Sequence, residues 1–159
     1  MYSFRNDYSE GAHPKVLQAL ADTNLRQTVG YGMDPCCQAA ADTIRRLCAA
    51  PDAAVHFLVG GTQVNLVTID AFLQSYEAVV AAQTGHVSTH ETGAIEATGH
   101  KVCTVESSDG KLTPALVESV LAGHNGTEHM VLPRMVYISD TTEIGTVYTR
   151  AELAALRQC

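Results

Sequence analysis

The sequence predicts an α/β fold, one layered structure of helices alternating with short strands. Three observations carry this. Short apolar runs recur at residues 54–59, Ala78–Ala82, Lys101–Val105 and Met135–Ser139. Stretches with helical apolar spacing separate them. No internal repeat, low-complexity tract or domain-dividing linker interrupts the alternation. Residues 1–50, approximately, read as a helical N-terminal arm, and 51–159 as successive βα units.

Taken in order, Pro14 suits the first position of a helix whose Val16, Leu17, Ala19 and Leu20 are spaced to give one buried face. After the turn-rich Gly30-Tyr31-Gly32, Asp34-Pro35 starts a second helix, continued by Ala39, Ala40, Ile44 and Leu47 to Ala50. The strand at 54–59 leads through Gly60-Gly61 into a helix from about 62 to 75. The strand Ala78–Ala82 then gives way to the polar loop Gln83-Thr84-Gly85-His86. Glu91 to Ala97 is expected as a short helix and Lys101 to Val105 as a strand. Thr113-Pro114 opens a helix stopped near Gly123. The strand Met135–Ser139 precedes the polar run Asp140-Thr141-Thr142-Glu143, and a last helix starts near Arg150.

Composition narrows the function. The 159 residues carry a formal net charge of -7, which offers no basic footprint for nucleic acid. No apolar run approaches the ~20 residues of a membrane span, and the N-terminal residues lack the pattern of a signal peptide. A cytoplasmic protein is the expectation. The five cysteines, odd in number and without zinc-site spacing, argue against a disulfide framework and are expected mostly as buried thiols. The seven histidines show no metal-ligand spacing, so no metal site is expected.

The most informative stretch is Val55-His56-Phe57-Leu58-Val59-Gly60-Gly61-Thr62-Gln63-Val64-Asn65, a strand, a glycine turn and a helix start in succession. First-turn amides point outward with the positive end of the helix dipole, and glycines let an anion approach the backbone. This junction is therefore a candidate anion site, to which Thr62 adds a hydroxyl donor. A tight turn with Thr62 as the N-cap reads equally well from the residues alone. His86 lies just past the carboxyl end of a strand, where α/β sheets commonly carry function.

These residues, with Asn6-Asp7-Tyr8-Ser9-Glu10-Gly11-Ala12-His13-Pro14, Gly30-Tyr31-Gly32-Met33-Asp34, Glu91-Thr92-Gly93-Ala94, Gly110-Lys111-Leu112-Thr113 and Thr142-Glu143-Ile144-Gly145-Thr146-Val147-Tyr148, resemble the N-terminal part of the L-threonine aldolases, in order and at compatible spacing. The resemblance implies a fold-type I enzyme dependent on pyridoxal 5'-phosphate. It further implies a three-layer large domain with a seven-stranded, mostly parallel sheet covered on both faces by helices, and a homodimer or homotetramer. The implied reaction cleaves L-threonine or a related β-hydroxy amino acid to glycine and an aldehyde. Gly61 and Thr62 match the cofactor-phosphate loop, and His86 the histidine stacked on the cofactor ring, near the substrate hydroxyl. His129 matches a second histidine proposed near that hydroxyl. Glu91 matches a glutamate orienting the ring substituents, although an exposed carboxylate at a helix start is as good a reading. Asn6 stands where the family often has a substrate-binding serine. Tyr31 and Asp7 are weaker substrate-side candidates.

The aspartate that pairs with the pyridine nitrogen, its neighbouring arginine and the Schiff-base lysine have no match within these 159 residues. The chain alone is expected to be inactive, and the sheet incomplete. Lys15, Lys101 and Lys111 sit in contexts expected to be solvated surface. Two alternatives stay open at this stage: another fold-type I β-eliminating lyase, and an inert fragment associating through its open sheet. An unrelated nucleotide-binding domain is disfavoured, because the glycine turn has neither GxGxxG nor GxxxxGK[ST].

Overall fold

The computed structural model describes residues 9–124 and 126–159. The chain divides between Phe57 and Leu58 into two compact units. The first holds helices α1 (Pro14–Thr23) and α2 (Pro35–Leu47), each with proline at its start. The His13 ring caps α1 by accepting from the Lys15 amide, and the Asp34 carboxylate caps α2 by accepting from the Cys36 and Cys37 amides. The apolar stripe of α1, expected to be buried, is exposed at Val16, Leu17 and Leu20, because nothing within its unit covers it. The thiols differ from expectation as well. Cys36, Cys48 and Cys159 are exposed, and Cys103 is buried. The Asp34 carboxylate, accepting from Cys37, pushes that thiol's pKa up.

The second unit builds the sheet. Its elements are α3 (Gly61–Phe72), β1 (Glu77–Ala82), α4 (His86–Thr89), a 3-10 turn (Glu96–Thr98), β2 (Lys101–Val105), α5 (Pro114–Gly123), β3 (Leu132–Val136) and α6 (Arg150–Gln158). The strands run parallel in the order β2-β1-β3. Central β1 is flanked on both edges and covered on both faces, which is why its sequence Ala78-Val79-Val80-Ala81-Ala82 is continuously apolar. On one face Val79 and Ala81 pack with Ile69 of α3, Leu73 just after it, Val87 of α4, and Ile95. On the other, Val80 and Ala82 pack with Leu112, Val120 of α5 and Leu156 of α6. Helix, sheet and helix thus form the three layers the resemblance implies.

Four local expectations change. Residues 54–59 form no strand, because they find no ladder partner among the described residues, and Phe57, Leu58 and Val59 are exposed. β3 starts three residues earlier than expected, since the register sets Leu132 against Glu77. A bulge at Ala78/Val79 accommodates Pro133, which has no amide to donate. Residues 91–95 form a turn rather than a helix: Thr92 and Gly93 both take positive φ, 54° and 74°. Lys111 is not solvated surface but a half-buried ion pair with Glu152 of α6, its ammonium 5.8 Å from the centre of the Tyr148 ring.

The chain leaves β1 to lay β2 on one side and then returns to lay β3 on the other. Strand order reverses at β1, and in α/β sheets ligands commonly bind beyond the carboxyl end of the strand at such a switch point. His86 begins four residues beyond that end.

Candidate active site

His86 opens α4, and its ring faces two carboxylates. Its Nδ1 lies 3.4 Å from Glu143 Oε1 and its Nε2 3.9 Å from Glu91 Oε1, while the His90 ring stacks on it at 5.3 Å between centres and 15° between planes. The Glu91 side chain is fully buried. Burying a carboxylate is costly unless donors replace its water. Asn65 of α3 supplies one, donating its amide N–H to Oε1, whereas Oε2 has no partner among the described residues. The exposed-carboxylate reading of Glu91 is thereby corrected: the left-handed turn at Thr92-Gly93 folds the chain so that Glu91 points inward.

Glu143 follows β3. Its Oε1 accepts from the Ser139 hydroxyl at 2.8 Å. The Tyr137 phenol lies between the two acids, 3.5 Å from the Asn65 amide and 3.4 Å from Ser139 Oγ. Burial first, and then the Glu91 and Glu143 charges, push its pKa up, so it remains a neutral hydroxyl at pH 7.

The first turn of α3 is tied to this cluster through Asn65, which lies three residues after Thr62 and so near the same helix face. Gly60, extended at φ -163°, is the N-cap, and no side chain caps the helix. Thr62 is therefore not the cap. It sits inside the exposed first turn with its hydroxyl available to a ligand. A Cβ placed on Gly60 or Gly61 would meet nothing within 4 Å, so the turn is open on that side.

Of the sequence candidates, Gly61, Thr62, His86 and Glu91 fall in this one region. His129 does not. It is an exposed turn residue just before β3, at the amino edge of a parallel sheet whose carboxyl edge carries His86. Six residues of strand separate those edges, about 20 Å. Asn6 and Asp7 lie outside the described residues. Tyr31 is a fully exposed turn residue of the first unit with φ 61°. Asn65, Tyr137, Ser139 and Glu143 were not singled out from sequence. The signal available was weak: one polar residue per helix turn, and polar residues clustered after a strand.

Comparison with known proteins agrees with the geometry. The β-eliminating lyase family profile matches residues 4–159. The chain belongs to this family. It is 36% identical over 155 residues to the low-specificity L-threonine aldolase of a Pseudomonas species, and 35% identical to that of Pseudomonas aeruginosa, covering 96% of this chain and 44% of each relative. A solved structure of threonine aldolase from Leishmania major superposes with a TM-score of 0.94 at 55% identity, over 99% of this chain and 46% of that one. The chain thus spans a little under half the length of the relatives it matches. Members of the family are pyridoxal-phosphate dependent.

The residues present fit such a cofactor in two respects. An uncapped helix start with unobstructed glycines suits a phosphate. A fully buried carboxylate with one orphaned oxygen, Glu91 Oε2, awaits a donor.

Proposed function

We propose that this chain carries the cofactor-phosphate and general-base portion of a threonine-aldolase site. In this reading the amides of Gly61 and Thr62, with the Thr62 hydroxyl, hold the phosphate of pyridoxal 5'-phosphate. His86 lies against the ring. Bound there, the cofactor supplies the electron sink that makes cleavage of the Cα–Cβ bond of a β-hydroxy amino acid feasible.

The chain's own residues then do three things. The α3 amides and dipole fix one end of the ligand. Buried Glu91, held by Asn65, offers its free oxygen to a donor on the ligand. His86 takes the proton from the substrate β-hydroxyl as the carbon–carbon bond breaks, leaving glycine and an aldehyde. The observation that carries the reading is the link from the α3 first turn through Asn65 and Glu91 to His86. The threonine-aldolase relatives favour this over a β-eliminating lyase acting on another side chain.

A homodimer or homotetramer is part of the proposal, supported by the exposed Val16, Leu17 and Leu20 of α1. A cytoplasmic setting is proposed too. No helix among the described residues is long and apolar enough to cross a membrane.

Calorimetric titration with pyridoxal 5'-phosphate tests the phosphate seat. Thr62→Ala is expected to weaken binding by about 1–3 kcal/mol, because the anion loses a hydroxyl donor. Equal affinity in the variant removes Thr62 from the site. Product analysis on the whole enzyme distinguishes the chemistry: threonine should yield glycine and acetaldehyde, and a keto acid with ammonia would contradict the aldol reading.

A further inference from the structure

We propose that Glu143, anchored by Ser139, is the positioning residue for His86: it holds the imidazole with its proton on Nδ1 and so leaves Nε2 as the atom that takes the substrate's hydroxyl proton. This rests on the role of His86 given above, and it names the atom.

A neutral imidazole has one N–H and one lone pair, and an ionised carboxylate only accepts, so the nitrogen facing a carboxylate most closely is the one that carries the proton. Two carboxylates compete for the ring, and distance separates them. Glu143 Oε1 is 3.4 Å from Nδ1, the shorter of the two separations. Glu91 Oε1 is 3.9 Å from Nε2 and already accepts from Asn65.

Both carboxylates are held by a neighbouring donor, so the shorter distance is what assigns the ring to Glu143. Its side chain is 17% exposed, and the Ser139 hydroxyl donates to the same Oε1 at 2.8 Å. The third neighbour, the His90 ring, stacks on a face of His86 and leaves the ring edges free. The His86 side chain is 46% exposed, so without such contacts its ring would rotate. Parallel β1 and β3 are adjacent, and each ends in a loop at the same sheet edge. One loop delivers the base and the other its orienter.

The proton balance is simple. The substrate O–H bond breaks, an Nε2–H bond forms, and the ring becomes a cation carrying a proton on each nitrogen. Glu143, facing Nδ1, is the anion that balances it.

The test is the ring tautomer of His86, read by long-range proton–nitrogen NMR on the nitrogen-15-labelled 159-residue chain without cofactor, at pH 8.5, where imidazoles are ordinarily neutral. The Nδ1–H form is expected. Glu143→Ala should shift it towards the Nε2–H form that free imidazole prefers. Glu143→Gln, whose amide oxygen still accepts, should keep Nδ1–H, and Ser139→Ala should give a mixture. An Nε2–H ring in the unaltered chain overturns the proposal with no variant needed, as does an unchanged tautomer in a folded Glu143→Ala.

In the whole enzyme, Glu143→Gln should lower kcat about ten- to hundredfold with little change in KM for threonine, because the charge matters only once the ring is a cation. An effect on KM alone contradicts the assignment. The tautomer is independent of phosphate binding. Failure of the Thr62→Ala prediction therefore removes the Thr62 hydroxyl from the phosphate seat and leaves the Glu143–His86 geometry standing, and the converse also holds.

Discussion

A carboxylate taken out of water must be repaid by donors, and Glu91 has one from Asn65. Removing that donor leaves a buried charge without partners. Asn65→Ala should therefore destabilise the fold by about 1.5–3 kcal/mol, read from urea unfolding. A loss below about 0.5 kcal/mol would mean that water reaches Glu91. Thr92 offers the opposite case. It is an exposed β-branched residue held at φ 54°, a conformation costing about 1–2 kcal/mol. Thr92→Gly, after its own entropy cost in the unfolded chain, should raise stability by about 0.5–1 kcal/mol, and a lower urea midpoint would contradict the strain. At this scale the sequence was legible where a residue's role is local. Thr62 and His86 could be found from their neighbours in the chain. Asn65 and Glu143 could not, because each acquires its meaning from a partner on another element: Asn65 meets Glu91, 26 positions on, and Glu143 meets His86 across two strands.

Helix starts with chemical signals were legible to within a residue or two, whereas α2 ends at Leu47, three residues before the expected Ala50. Pro14, Pro35 and Pro114 each begin a helix, and Thr149 caps α6 with the reciprocal box to Glu152. Strands were legible only where they had partners. Lys101–Val105 and Ala78–Ala82 are found as expected, but 54–59 has the apolar run of a strand without a neighbour to complete its ladder. Glu152 also carries the pH dependence of α6. Its bond from Lys111, ahead of those at Thr149, lowers its pKa to about 2. Because the folded value lies below the ordinary carboxylate range, the stabilisation is present above about pH 5 and is lost as pH falls towards 2. The urea midpoint of Glu152→Gln should lie below that of the unaltered chain at pH 6, and the gap should narrow steadily towards pH 3. A gap independent of pH would contradict the ion pair's role.

For the molecule as a whole, a β1 buried on all sides joins the two cores and fixes where the switch point lies. Ile95 is fully buried in the core that underlies α4, the helix that begins at His86. Ile95→Ala should cost about 2–5 kcal/mol in unfolding free energy, and a change under 1 kcal/mol would show that this layer is not packed. Fold class and layering were legible because periodicity and burial follow directly from the apolar pattern. The position of His129 was not. Spacing along a chain does not say which edge of a parallel sheet a residue reaches, and His129 lies at the amino edge. The central claim is that one small ligand spans the α3 first turn and the His86 ring. A crystal structure of the protein soaked with pyridoxal 5'-phosphate tests it most directly. The account predicts the phosphate within hydrogen-bond distance of the Gly61 and Thr62 amides and the ring against His86. A phosphate bound elsewhere, or a ring out of reach of His86, would contradict it.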